Sequence, residues 1–251
     1  MTLAAALLFA LVGAVQASAA AVSTSTPVSS DPALVAAVKK GDLIGLQAQL
    51  AQGAAVGAKD QFGWTAVMWA VGHGNAPMVS ALLTAGGSAA PSDTPTFNAM
   101  IEASKGDRGD VVSVLAAHGF DCNAKDAVGV PAISYAAAKT STGTAAALLA
   151  CKADVNAKDA NGLTPLMRAV QSAPAGTVAF LLAAGAKVNE RDHHGYTALM
   201  WAAHDGATGS AKALLAANAD PTVKGKDGRS AYAIAMARGR TAVAALLPPT
   251  P

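Results

Sequence analysis

The chain has 251 residues, 52% of them apolar and 14% charged, with a formal net charge of +2. With no Lys/Arg run longer than Lys39-Lys40, it lacks the sustained positive field that phosphate backbones require, which argues against nucleic acid as a partner. Aromatics are scarce at 4% and alanine is abundant, so short, closely packed helices are favoured over sheets and the fold class reads as all-α.

In chain order, residues 3 to 15 form an uninterrupted apolar run, followed by Gln16 and the small-residue stretch Ala17-Ser18-Ala19. This is the pattern of a secretory signal peptide cleaved near Ala19, although Met1 and Thr2 supply no positive charge ahead of it. The run falls short of the roughly 20 apolar residues that a spanning helix needs. Membrane attachment therefore enters only as the alternative of an uncleaved signal. Residues 20–30 are Ser/Thr-rich with a proline and read as a flexible leader. The ordered part is expected from 31 to 251, in a periplasmic or secreted protein.

From there an alanine recurs every 33 residues, at Ala37, Ala70, Ala103, Ala136, Ala169, Ala202 and Ala235, which predicts seven repeats of one unit. Five residues before each stand Pro32, Thr65, Asn98, Pro131, Thr164, Thr197 and Ser230, mostly helix-capping side chains that mark the start of a first helix. Leu34, Val67, Met100, Ile133, Leu166 and Leu199 lie three residues before the alanine, on the same helical face. A second amphipathic helix carries pairs such as Leu82-Leu83, Leu148-Leu149, Leu181-Leu182 and Leu214-Leu215. It is expected to stop at Gly53, Gly86, Gly119, Gly185, Asn218 and, less comfortably, Lys152, the place of a left-handed residue. Stretches such as Asn123-Ala124-Lys125-Asp126 and Asn156-Ala157-Lys158-Asp159 then read as hairpin-like loops, with Asp60, Asp93, Asp126, Asp159 and Asp192 as turn formers.

The segment from Asp159 through Thr164-Pro165-Leu166 to Asp192, and the one after it, resemble ankyrin repeats, and the resemblance covers about residues 31 to 247. It implies a solenoid of helix-turn-helix units with connecting hairpin-like loops, working as a protein–protein interaction scaffold without catalytic activity. The departure from that family's TPLH tetrapeptide is its histidine, replaced by Val35, Met68, Ile101, Ser134, Met167, Met200 and Ala233. The hydrogen bonding between units that this histidine supplies in the family should then be absent, with apolar packing in its place. Terminal units carry more polar residues, including Lys39, Lys40 and Arg238, as outer caps. The weakest stretch is expected in the third and fourth units, where Thr96, Pro131 and Lys152 depart from the pattern.

In the resembling family, the loop tips and the exposed side of the first helix form a concave partner-binding surface. Register places Phe62, Trp64, Phe97, Leu163 and Tyr196 around the loop, and Trp69, Tyr135, Arg168 and Trp201 four residues into the helix. Two repeat positions thus hold all three tryptophans, the chemistry of interface anchors. The competing reading packs these rings between neighbouring loops. His193, His194 and His204 fall in the sixth unit and read as partner-contacting surface, with a metal site as the alternative. Cys122 replaces a valine and Cys151 an alanine of other units. They read as small packing residues, with a disulfide permitted but not favoured. No nucleophile motif, phosphate loop or carboxylate pair is present, so neither an enzyme nor a cofactor is expected. The partner is another protein, the chain is expected to be a monomer, and a metal- or redox-linked accessory role is the alternative.

Overall fold

The computed structural model describes residues 32–88 and 97–249. The expected signal peptide, the leader and the loop containing Asp93 and Thr96 lie outside these residues. Fourteen helices are described, in the order α1 (Pro32–Lys40), α2 (Leu43–Ala51), α3 (Ala66–His73), α4 (Ala76–Thr84), α5 (Ala99–Lys105), α6 (Gly109–Ala117) and α7 (Ala132–Ala137). They continue with α8 (Gly143–Ala150), α9 (Pro165–Ser172), α10 (Ala175–Ala183), α11 (Ala198–Asp205), α12 (Thr208–Ala216), α13 (Ala231–Ala237) and α14 (Thr241–Ala244). Odd-numbered first helices pack against one another along the whole array, and even-numbered second helices pack from α2 to α8 and again from α10 to α14, with each pair closed by a short turn. The described part is all-helical, and only isolated bridges such as Lys125 with Pro131 interrupt the loops.

The caps follow the sequence. Thr65, Asn98, Thr164, Thr197 and Ser230 each accept a backbone N–H from the first turn of the helix they precede, while Pro131 makes no side-chain cap. The periodic alanines are buried throughout, which permits first helices to approach closely where a larger side chain would hold them apart. Lys152 and Asn218 adopt φ of 69° and 63°, the left-handed conformation given to glycine in the other units. Asp107, with φ 55°, stands where the first two and last two pairs use Gly41, Gly74, Gly206 and Gly239. Its carboxylate accepts the Thr144 hydroxyl at 2.7 Å.

Buried side chains form two clusters, one from Leu34 to Ala153 and one from Ala137 to Leu247. Val155 and Phe180, both partly buried, pack against each and join them.

Two expectations need correction. First, polar bonding between units is retained without the tetrapeptide histidine. The Asn123 side chain donates to the Lys152 carbonyl at 3.4 Å and accepts from Asp154 N at 2.8 Å. Asn156 and Asn189 repeat both bonds one and two units later. Lys125, Lys158 and Arg191 each donate to the carbonyl 33 residues ahead. An amide that offers donor and acceptor together can bridge two backbones, which apolar packing alone would leave unpaired. Second, Cys122 and Cys151 are joined in a disulfide with Cα atoms 6.2 Å apart. The separation of 29 residues is the one across which each of the three asparagines reaches a carbonyl. One unit's loop entry therefore lies beside the next unit's second-helix end.

Candidate functional site

The hairpin aspartates do more than turn the chain. In four units one carboxylate oxygen accepts two loop amides and the other accepts a side chain nine residues on. Asp60 takes Phe62 N and Trp64 N through Oδ1, and the Trp69 indole N–H at 2.9 Å through Oδ2. Asp126 takes Val128 N, Val130 N and the Tyr135 hydroxyl at 2.6 Å. Asp159 takes Asn161 N, Leu163 N and Arg168 Nη2 at 2.7 Å. Asp192 takes His194 N, Tyr196 N and the Trp201 indole at 3.0 Å. This internal tether fixes each loop against its own first helix, because a carboxylate holding three donors is both oriented and satisfied. Sequence reasoning found both columns but missed their coupling, although the constant offset of nine was legible.

Burial of Asp60 opposes ionisation, but the Lys39 ammonium and the bonds from Trp64, Trp69 and Phe62 outweigh it and hold the carboxyl at about 2. Asp126 is likewise lowered, with burial again outweighed, here by the Tyr135 hydroxyl and the loop amides. Burial and the Asp126 bond push the Tyr135 phenol up to about 12. It stays a neutral donor at any physiological pH. The last loop has Gly225 in the aspartate's place. There Asp227 accepts the Tyr196 hydroxyl at 2.6 Å and Arg229 Nε at 2.7 Å, and the Tyr196 bond leads the causes that set its carboxyl at about 2.

The tethers leave the rings half-buried along one face made of first helices and hairpins. At its amino-terminal end Trp64 lies 5.1 Å from Trp69 and 5.6 Å from Phe97, with His73 5.6 Å beyond Trp69. Lys39 turns into this cluster, over the Trp69 ring at 4.3 Å and on Asp60 at 2.8 Å, and so is not an outer cap. Phe62 at the hairpin tip is 65% exposed, 6.0 Å from Lys39 Nζ. At the carboxyl-terminal end Tyr196, Trp201 and His204 form a second cluster with centroids 5.7 and 5.4 Å apart. Between the two stand Tyr135, under the Lys105 ammonium at 5.2 Å, and Arg168. Leu163 is 8% exposed and has turned into the core. The predicted stripe is therefore two aromatic clusters with a polar centre. His193 and His194 are exposed on their loop, and the His204 ring bonds Asp205 at 2.6 Å. Among the described residues, no three or more His, Cys, Asp or Glu side chains are placed to hold a metal ion, and no helix is long and apolar enough to cross a membrane.

The family model described as "Ankyrin repeats (3 copies)" matches residues 34–126, 133–225 and 175–250. The chain belongs to the ankyrin repeat family. A comparison with curated proteins found no match. Among solved structures this ankyrin array is similar to the ankyrin repeat domain of Bcl-3, titled a unique member of the IkappaB protein family. That match has a TM-score of 0.73 and 25% identity, and it covers 85% of this chain and 97% of that one. Ankyrin repeats are in general protein–protein interaction modules, so the array is a scaffold on which individual side chains decide what is bound.

Proposed function

We propose that this ankyrin array works outside the cytoplasm, in the periplasm or as a secreted protein, and docks one segment of a protein partner along its first-helix and hairpin face. The observation that carries the reading is the pair of half-exposed aromatic clusters, Trp64-Trp69-Phe97 and Tyr196-Trp201, on a single face. Trp69 and Trp201, oriented by indole bonds to Asp60 and Asp192, offer large contact area with little rotamer entropy left to lose. The compartment is supported by the apolar run at residues 3–15 and by the Cys122–Cys151 disulfide, since such bonds persist in oxidising surroundings. The array acts as a single chain.

Cross-linking in the native compartment, with Trp64→Ala, Tyr196→Ala and Trp201→Ala variants, tests the face. Loss of one captured protein by folded variants is expected, and its retention by all three refutes the assignment. Separately, fractionation with thiol labelling should place the chain outside the cytoplasm with both cysteines blocked.

A further inference from the structure

The four tethering side chains differ in how much of their hydrogen-bonding capacity the aspartate absorbs. An indole has one N–H and a phenol one O–H, so Trp69, Tyr135 and Trp201 have no donor left once their aspartate is bound. Arg168 has five N–H donors, yet only Nη2 reaches Asp159, and Nε is buried with no partner. The two-pronged pairing that arginine usually makes with a carboxylate is absent. Nor can Asp159 take more, because its other oxygen holds Asn161 N and Leu163 N and its side chain is 1% exposed. The arginine itself is 32% exposed. A tryptophan would serve the tether as well, as it does in two sister units. What arginine adds at this position is a permanent positive charge with donors to spare, in the middle of the face, between Tyr135 one unit before and Trp201 one unit after.

We propose, resting on the docking reading above, that Arg168 receives a carboxylate side chain of the partner, carried by an extended segment whose flanking residues are apolar. The chemistry follows from the position. A guanidinium with N–H donors left over favours a carboxylate over a neutral acceptor, because the carboxylate adds an opposite charge and a planar two-oxygen fork that matches it. The flanking rings favour apolar or aromatic side chains. Spacing follows too: neighbouring helices pack about 8–10 Å apart, and a segment extended in the polyproline II form advances about 9 Å per three-residue turn with every third side chain on one side. A segment crossing the first helices therefore presents an apolar side chain about three positions before and after its acidic residue.

The test is selection of displayed random 12-residue peptides on the full-length oxidised chain, followed by fluorescence anisotropy with the enriched peptides synthesised. Arg168→Trp is the informative variant, since an indole there can hold Asp159 as Trp69 holds Asp60, and thermal melting confirms that it folds. Peptides selected on the wild type should share one Asp or Glu with apolar residues about three positions away. Arg168→Trp, or replacing that acid by its amide, should weaken them about 10- to 100-fold. Three outcomes refute the inference while leaving the docking reading intact, provided that Trp201→Ala weakens the peptides. They are enriched peptides with no acidic residue, an acidic residue without apolar neighbours at that spacing, or an acid preference unchanged by Arg168→Trp. Should no enriched peptide depend on Trp64 or Trp201, the docking reading itself fails and the inference with it.

Discussion

The fourth and fifth helix pairs are adjacent, share one register and are held differently. The fifth has a local device at each end. Thr164 caps α9 ahead of Pro165, and Gly185 takes the left-handed turn after α10. The fourth lacks both. Pro131 offers no cap, Lys152 is forced to φ 69°, and the Ser134 hydroxyl is buried without a partner. What the fourth has instead is the disulfide, which ties the loop ahead of α7 to the end of α8. One covalent link thus stands where three weak interactions are missing, and only in an oxidising environment does the weak pair match its neighbour.

The comparison breaks most sharply on reduction. Closing a loop of about 30 residues stabilises a fold by about 3–4 kcal/mol through the unfolded chain. A reductant, or Cys122→Ala with Cys151→Ala, should lower the unfolding free energy by that amount in urea titration. Hydrogen exchange should then rise first in α7 and α8 while α9 and α10 stay protected. The caps come next. Pro131→Thr should stabilise the reduced protein by about 1 kcal/mol by supplying the side-chain cap that α7 lacks, and Thr164→Ala should cost about 1 kcal/mol. Exchanging the turn residues should likewise move the pairs in opposite senses. Lys152→Gly should add about 1 kcal/mol and Gly185→Lys remove about the same, both read as midpoint shifts in thermal melts. The smallest effect concerns acid. The Asp126 carboxyl is lowered in the folded chain, so its contribution is complete at neutral pH and is lost as the pH falls below the ordinary carboxylate range. The stability gap between wild type and Tyr135→Phe, which removes one bond to Asp126, should therefore narrow in urea titrations below about pH 4.

Much of this was legible in the sequence. The alanine period fixes the first helices, Thr164 and Ser230 announce their caps, and Lys152 at a glycine position announces strain. Asp107 is harder to read, because Thr140 and Ala173 interrupt the glycine column that runs through Gly74 and Gly206. The disulfide is hidden for a different reason. The residue type that each cysteine replaces carries no information on pairing, which depends on which positions adjoin across units and so on the loop path. The inter-unit asparagine bonds span the same distance and went unseen too. On the candidate face the aromatic columns could be read, and the offset to the aspartates could have been. Leu163's turn into the core and the unpartnered Nε of Arg168 depend on side-chain rotamers that no spacing encodes.

Each tether from an aspartate to the side chain nine residues later lies wholly within one unit. Indole, phenol and guanidinium all complete it, so the scaffold requires a donor at that place but not a particular one. Mutation can therefore rewrite the face one unit at a time, trading ring for charge, without disturbing the neighbours. The cysteine bridge has no such freedom, because its two halves belong to different units and must be inherited together.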